Sequence, residues 1–122
     1  MCVATGSAKW LFKIKMSNKD FILECFSHYI CSDDPEMKHG KPAPDIFQLA
    51  ASRFSVKPTS PSNVLVFEDA PNGVKAGRAA NMNVVMVPDS NVDPSLCTEA
   101  HLVLKSLEEF DPEIWGLPPF DK

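Results

Sequence analysis

Val64-Leu-Val-Phe-Glu-Asp-Ala-Pro-Asn-Gly73 is the stretch on which the reading of this chain turns. Val64 to Phe67 form a short apolar run of β-branched and aromatic residues, the pattern of a buried strand. The run ends in adjacent carboxylates, Glu68 and Asp69. Ala-Pro-Asn-Gly then turns the chain, and Val74 to Ala80 reads as a helix. Open α/β sheets place their ligands at the C-terminal ends of buried strands, and hard oxygen donors suit Mg²⁺. Read alone, the pair fits a metal site or a solvated acidic turn, because adjacent acids are common on surfaces.

Working upstream, Ser55 to Asn63 is a polar loop with two prolines. Before it, Asp45 to about Phe54 predicts a helix, with Pro44 near its first turn and Ile46, Phe47, Leu49 and Ala50 facing inward. That helix follows His39-Gly-Lys-Pro-Ala-Pro-Asp45. Gly40 permits unusual dihedrals, and Pro42 and Pro44 stiffen the backbone beyond Lys41. A lysine held this way is a candidate fixed counter-ion for phosphate, where an unconstrained one is a surface charge. His28 to Ser32 is a short strand candidate, broken by Asp33-Asp-Pro-Glu36. Residues 8–27 read as helical, with lysines on the polar surface and Ser17-Asn18 starting a second helix. The N-terminal Met-Cys-Val-Ala-Thr-Gly-Ser7 reads as a strand end running into a turn of small residues. Its hydroxyls and backbone N–H groups can cradle a phosphate, or it is a frayed terminus.

Downstream, Asn81-Met-Asn83 resembles a helix C-terminal turn, Val84 to Val87 a buried strand, and Leu102 to Leu104 a last short strand. Ser106 is the expected cap of one helical turn. The tail from Asp111 carries Trp115, Leu117 and Phe120 and is expected to cover an apolar surface. Strands alternating with helices predict a parallel sheet covered by helices.

Composition sets the outer bounds. The chain has 122 residues, of which 44% are hydrophobic and 23% charged, with a net charge of −4. That suits one small soluble domain, and the missing basic block argues against nucleic-acid binding. No apolar run approaches the roughly 20 residues of a membrane span, so no membrane partner is expected. Met1 to Thr5 is too short an apolar run for a secretory signal. Cys2, Cys25, Cys31 and Cys97 match no zinc spacing and form no C-x-x-C pair. Free thiols and a cytoplasmic location are the expectation.

Thr5, Lys41 and Glu68–Asp69, in that order, resemble motifs II, III and IV of the haloacid dehalogenase superfamily. Gly40-Lys-Pro-Ala-Pro-Asp-Ile-Phe47 and Phe67-Glu-Asp-Ala-Pro-Asn-Gly73 are similar to its beta-phosphoglucomutase-like branch. The resemblance implies an α/β Rossmann-like core and Mg²⁺-dependent hydrolysis of phosphate monoesters. It implies that Thr5, with backbone amides near Gly6 and Ser7, binds phosphate. Lys41 would be the catalytic cation that neutralises nucleophile and phosphate. Asp69 would hold Mg²⁺, with Glu68 as a further ligand or its water-binding neighbour. The ligand implied is a phosphorylated small molecule, a nucleotide-like or sugar monophosphate.

The chain departs from that pattern in one respect. The family's nucleophile and general acid lie in an Asp-x-Asp motif on the first strand, followed by a cap domain. No Asp-x-Asp occurs in these 122 residues. The expectation is therefore an incomplete core domain over residues 1–122, without the motif-I strand or cap, and catalytically deficient by itself. The alternative is a truncated, non-catalytic form that binds phosphate weakly or associates with another protein. Without the central strand, either the Cys2–Thr5 strand closes against Val64–Phe67, or both edges stay open to a protein partner.

Overall fold

A computed structural model of the chain describes residues 1–121. Strand β1 (Val3–Ala4) leads through a turn into helix α1 (Lys9–Lys15) and a single helical turn, α2 (Asp20–Leu23). Then come β2 (Tyr29–Ile30), α3 (Asp45–Ser52), β3 (Leu65–Glu68), α4 (Pro71–Ala79), β4 (Asn83–Met86) and β5 (Leu102–Val103). Short 3₁₀ turns at Pro61–Asn63, Pro94–Cys97, Leu107–Glu109 and Glu113–Trp115 fill the connections.

The strands are parallel and helices flank them, as alternation predicts. They form two sheets: β1 pairs with β2, and β4 lies between β3 and β5. β1 does not close against β3, so of the two arrangements open to the sequence, the open edges are the one observed. Helix α3 packs on β1, β2 and α4, and α4 packs on β3 and β4. The halves are thus joined through α3 and α4, and Ile30, Ile46, Val66, Val74, Val84 and Met86 share one apolar core.

Several boundaries differ from the sequence reading by a residue or two, and the starts of β3 and α2 do so for identifiable reasons. Ser60 caps the turn at Pro61–Asn63, and the Val64 amide closes that turn by donating to the Pro61 carbonyl at 3.0 Å. β3 consequently starts at Leu65 and runs on to Glu68, which pairs with Met86. Asn18 does not open α2. It adopts φ 62°, a left-handed conformation Asn tolerates, and separates the helices so that Lys19, with no side-chain cap bond, takes the N-cap position of α2.

Alternation along β3 assigns its faces. Val66 and Glu68 point toward α4, where a Cβ on Gly77 would approach Val66 and come 2.7 Å from Val84 Cγ2, so glycine permits the close packing. Phe67 points the other way and meets Phe110, ring centroids 4.9 Å apart. Phe120 lies beyond Phe110 at 6.3 Å. Phe110, just before the tail, therefore covers part of this face. Of the tail's Trp115, Leu117 and Phe120, expected to cover an apolar surface, only Trp115 is half-buried, while Leu117 and Phe120, like Ile114, stay exposed. Ser106 caps its 3₁₀ turn by accepting from the Glu108 amide.

Candidate active site

The C-terminal ends of β1 and β3 open onto one cleft of about 620 Å³. Thr5 and Gly6 enter it from β1, Glu68 and Asp69 from β3, and Lys41 from the loop before α3. Ala4, Lys15, Phe67, Val87 and Leu107 complete the lining. The residues singled out in the sequence thus meet, although they span more than sixty positions of the chain.

Lys41 is fixed from three sides. Its ammonium donates to the Ala4 carbonyl at 3.3 Å, is ion-paired with the Glu68 carboxylate, and lies 5.0 Å from the centroid of the Phe47 ring. The last is within cation–π range. The pair is largely withdrawn from water, with side-chain exposures of 18% for Lys41 and 8% for Glu68. The Glu68 carboxylate in turn lies over Gly73 near the start of α4, and a Cβ at Gly73 would overlap it. Helix α4 has no side-chain cap at Ala70, so a carboxylate beside its first turn also complements the helix dipole. One ion pair therefore ties β1, the Lys41 loop and α4 together across the gap between the sheets.

The loop bearing Lys41 is clamped at both ends. His39 N–H donates to Asp45 Oδ2 at 3.1 Å. Arg53, following α3, donates to both Asp34 oxygens at 2.6 and 2.8 Å and also reaches Glu36. The Arg53 guanidinium, and then the Glu36 amide, hold the Asp34 carboxyl below the usual carboxylate range. A carboxyl whose pKa is depressed by folding adds stability above its unfolded value and loses it as pH falls through the folded one. Acidification from about pH 4 is expected to destabilise the wild-type chain more than Arg53→Gln. Urea midpoints across an acid series measure this, and parallel profiles would show the clamp to be unimportant.

At the β1 end, the Ser7 amide donates to Thr5 Oγ1 at 3.1 Å. The Thr5 hydroxyl accepts there and keeps its own proton to donate. Ser7 meets the cleft indirectly, its Oγ accepting from Lys15 Nζ at 2.9 Å. The sequence reading does not single out Lys15. Linear spacing carries no sign of its return to Ser7, which depends on the turn before the helix.

Asp69 is exposed and makes no ion pair among the described residues. As a hard oxygen donor it suits a divalent cation, but Glu68 is engaged by Lys41. No group of three or more metal-ligating side chains occurs among the described residues. With Glu68 paired to Lys41, Asp69 is the carboxylate left free for a divalent cation, whose shell water and phosphate oxygens would have to complete.

Comparison with known proteins assigns the chain to a family. The family model for haloacid dehalogenase-like hydrolases matches residues 2–81. The chain is 50% identical over 120 residues to (DL)-glycerol-3-phosphatase 1, mitochondrial, of Arabidopsis thaliana, covering 98% of this chain and 40% of that protein. It is 48% identical over 120 residues to a probable pseudouridine-5′-phosphatase of Drosophila melanogaster, covering 98% of this chain and 52% of that one. The chain therefore spans about half or less of these relatives' lengths. A putative beta-phosphoglucomutase from Thermotoga maritima superimposes with a TM-score of 0.71 at 27% identity, over 84% of this chain and 46% of that structure. The matched model covers more than half of the sequence, through the strand, lysine and acid-pair motifs that meet in the cleft, and the chain belongs to the haloacid dehalogenase-like hydrolases.

Proposed function

We propose that these 122 residues form the phosphate- and cation-binding half of a phosphate-monoester hydrolase site for a small phosphorylated metabolite. The observation that carries the proposal is the convergence of Thr5, Gly6, Lys41, Glu68 and Asp69 on one cleft. In this reading Thr5 Oγ1 and the Gly6 amide donate to phosphate oxygens, and Lys41 offsets charge where anions approach one another. Asp69 is the side chain assigned to Mg²⁺, with water and the substrate phosphate completing the shell.

Two substrate chemistries stand out. His39 to Phe47, Val64 to Gly73, Val84 to Asp89 and Gly116-Leu-Pro118 resemble pseudouridine-5′-phosphatase, and one relative bears that name. Another is a glycerol-3-phosphatase. Pseudouridine 5′-phosphate is the substrate we assign first, and glycerol 3-phosphate is the competitor. The free cysteines fit a reducing compartment, and cytoplasm is the location proposed. No helix among the described residues is long and apolar enough to cross a membrane.

No Asp-x-Asp is present to supply a nucleophile, so the covalent route is closed to these residues alone. The purified chain is expected to release no phosphate from either ester in the presence of Mg²⁺. Release that disappears in Asp69→Ala would overturn this deficiency and reveal another nucleophile. Release equal in both proteins would indicate a contaminating phosphatase. The unjoined edges of β1 and β3 favour a second reading, in which another polypeptide adds a strand between them. Self-association or poor solubility is expected of the isolated chain. A monodisperse, thermally stable monomer on a sizing column would overturn that reading.

A further inference from the structure

We propose that Lys15 is a second phosphate-binding cation of the cleft. This rests on the reading of the Thr5 end as its anion end. The cleft is lined by two cations, Lys15 and Lys41, and two carboxylates, Glu68 and Asp69. Lys41 and Glu68 neutralise each other. Lys15 donates to a neutral hydroxyl, Ser7 Oγ, and makes no ion pair among the described residues. Its charge is therefore uncompensated at the β1 end, while the uncompensated negative charge of Asp69 lies at the β3 end. The polarity seats a dianion beside Thr5 and Lys15 and away from Asp69, and it leaves the Asp69 end for a cation.

The hydrogen bond to Ser7 also limits the freedom of the Lys15 side chain. Ser7 is in turn tied through its amide to Thr5 Oγ1. Cation, hydroxyl and turn are thus linked before any ligand arrives, which lowers the ordering cost of binding. Lys13, on the same helix, has no such tie and does not line the cleft, so it provides a matched control. The ligand class is a phosphate monoester in its dianionic form, whose second charge Lys41 cannot meet while paired with Glu68.

The test is a titration of the isotopically labelled 122-residue chain with inorganic phosphate, at constant ionic strength, following the Thr5 and Gly6 amides by NMR. Wild type is expected to show saturable shifts there. Lys15→Gln is expected to weaken binding roughly tenfold, with Lys15→Arg retaining affinity and Lys13→Gln unchanged. Spectra of the remaining amides verify that each variant is folded. Wild-type affinity in Lys15→Gln, together with loss of binding in Thr5→Val, would overturn the role of Lys15 and leave the phosphate reading intact. Absence of saturable shifts at Thr5 and Gly6 in wild type would overturn both.

Discussion

Lys41→Met is expected to lower the unfolding free energy by about 3 kcal/mol. The loss comes less from the missing lysine than from the carboxylate left behind. Glu68 is held against Gly73 with 8% of its side chain exposed, and without Lys41 it must be dehydrated unpaired, become protonated, or swing out into the cleft. Removing one partner of a buried pair costs more than the intact pair contributes, because the surviving charge loses compensation. Adding Glu68→Gln to Lys41→Met should restore part of the stability, and the double-mutant cycle gives the coupling directly. Equilibrium urea unfolding of the four proteins is the measurement. A loss below about 1 kcal/mol, the range of solvated ion pairs, would mean that water in the cleft already supports Glu68.

Ile46→Ala should be about as damaging, again by about 3 kcal/mol. Ile46 is 1% exposed and lies on α3, the helix that packs on β1 and β2 from one half and on α4 from the other. With no strand among the described residues joining the sheets, truncation there leaves a cavity at a seam that cannot collapse along a continuous ladder. In a small domain such a loss is a large share of the total. Denaturant midpoints measure it. A shift equivalent to less than about 1 kcal/mol would show that the halves are coupled mainly through the Lys41–Glu68 pair.

Local chemistry made much of the site legible in the sequence. A β-branched run ending in two acids marks a strand end, and a lysine between glycine and proline marks a fixed cation. These signals need only neighbouring residues and single out Lys41, Glu68 and Asp69 one by one. It is the family resemblance that groups them with Thr5, and all four line one cleft. What the sequence concealed depends on contacts between distant segments. The pairing of Glu68 with Lys41 requires Gly73 to leave room for a side chain five residues earlier. The return of Lys15 to Ser7 requires the turn that begins α1. The same distinction governs boundaries: Asn18 resets the start of α2 through backbone conformation, which periodicity does not record. Alternation implied parallel strands, but hydropathy alone could not decide whether β1 would close against β3.

The divided sheet also bears on how motion is distributed through the molecule. β4 is hydrogen-bonded on both sides, and Val84, Val85 and Met86 have no solvent exposure. Its amides belong with the most persistent part of the fold, the class that exchanges with solvent only on global opening. β1 and β2 form a ladder of two residues each, at the margin where strand pairs open locally. The turn that holds Thr5 therefore rests on the more labile of two folding units, and the acids rest on the more durable one. Ordering of the phosphate end would thus be supplied partly by whatever binds there.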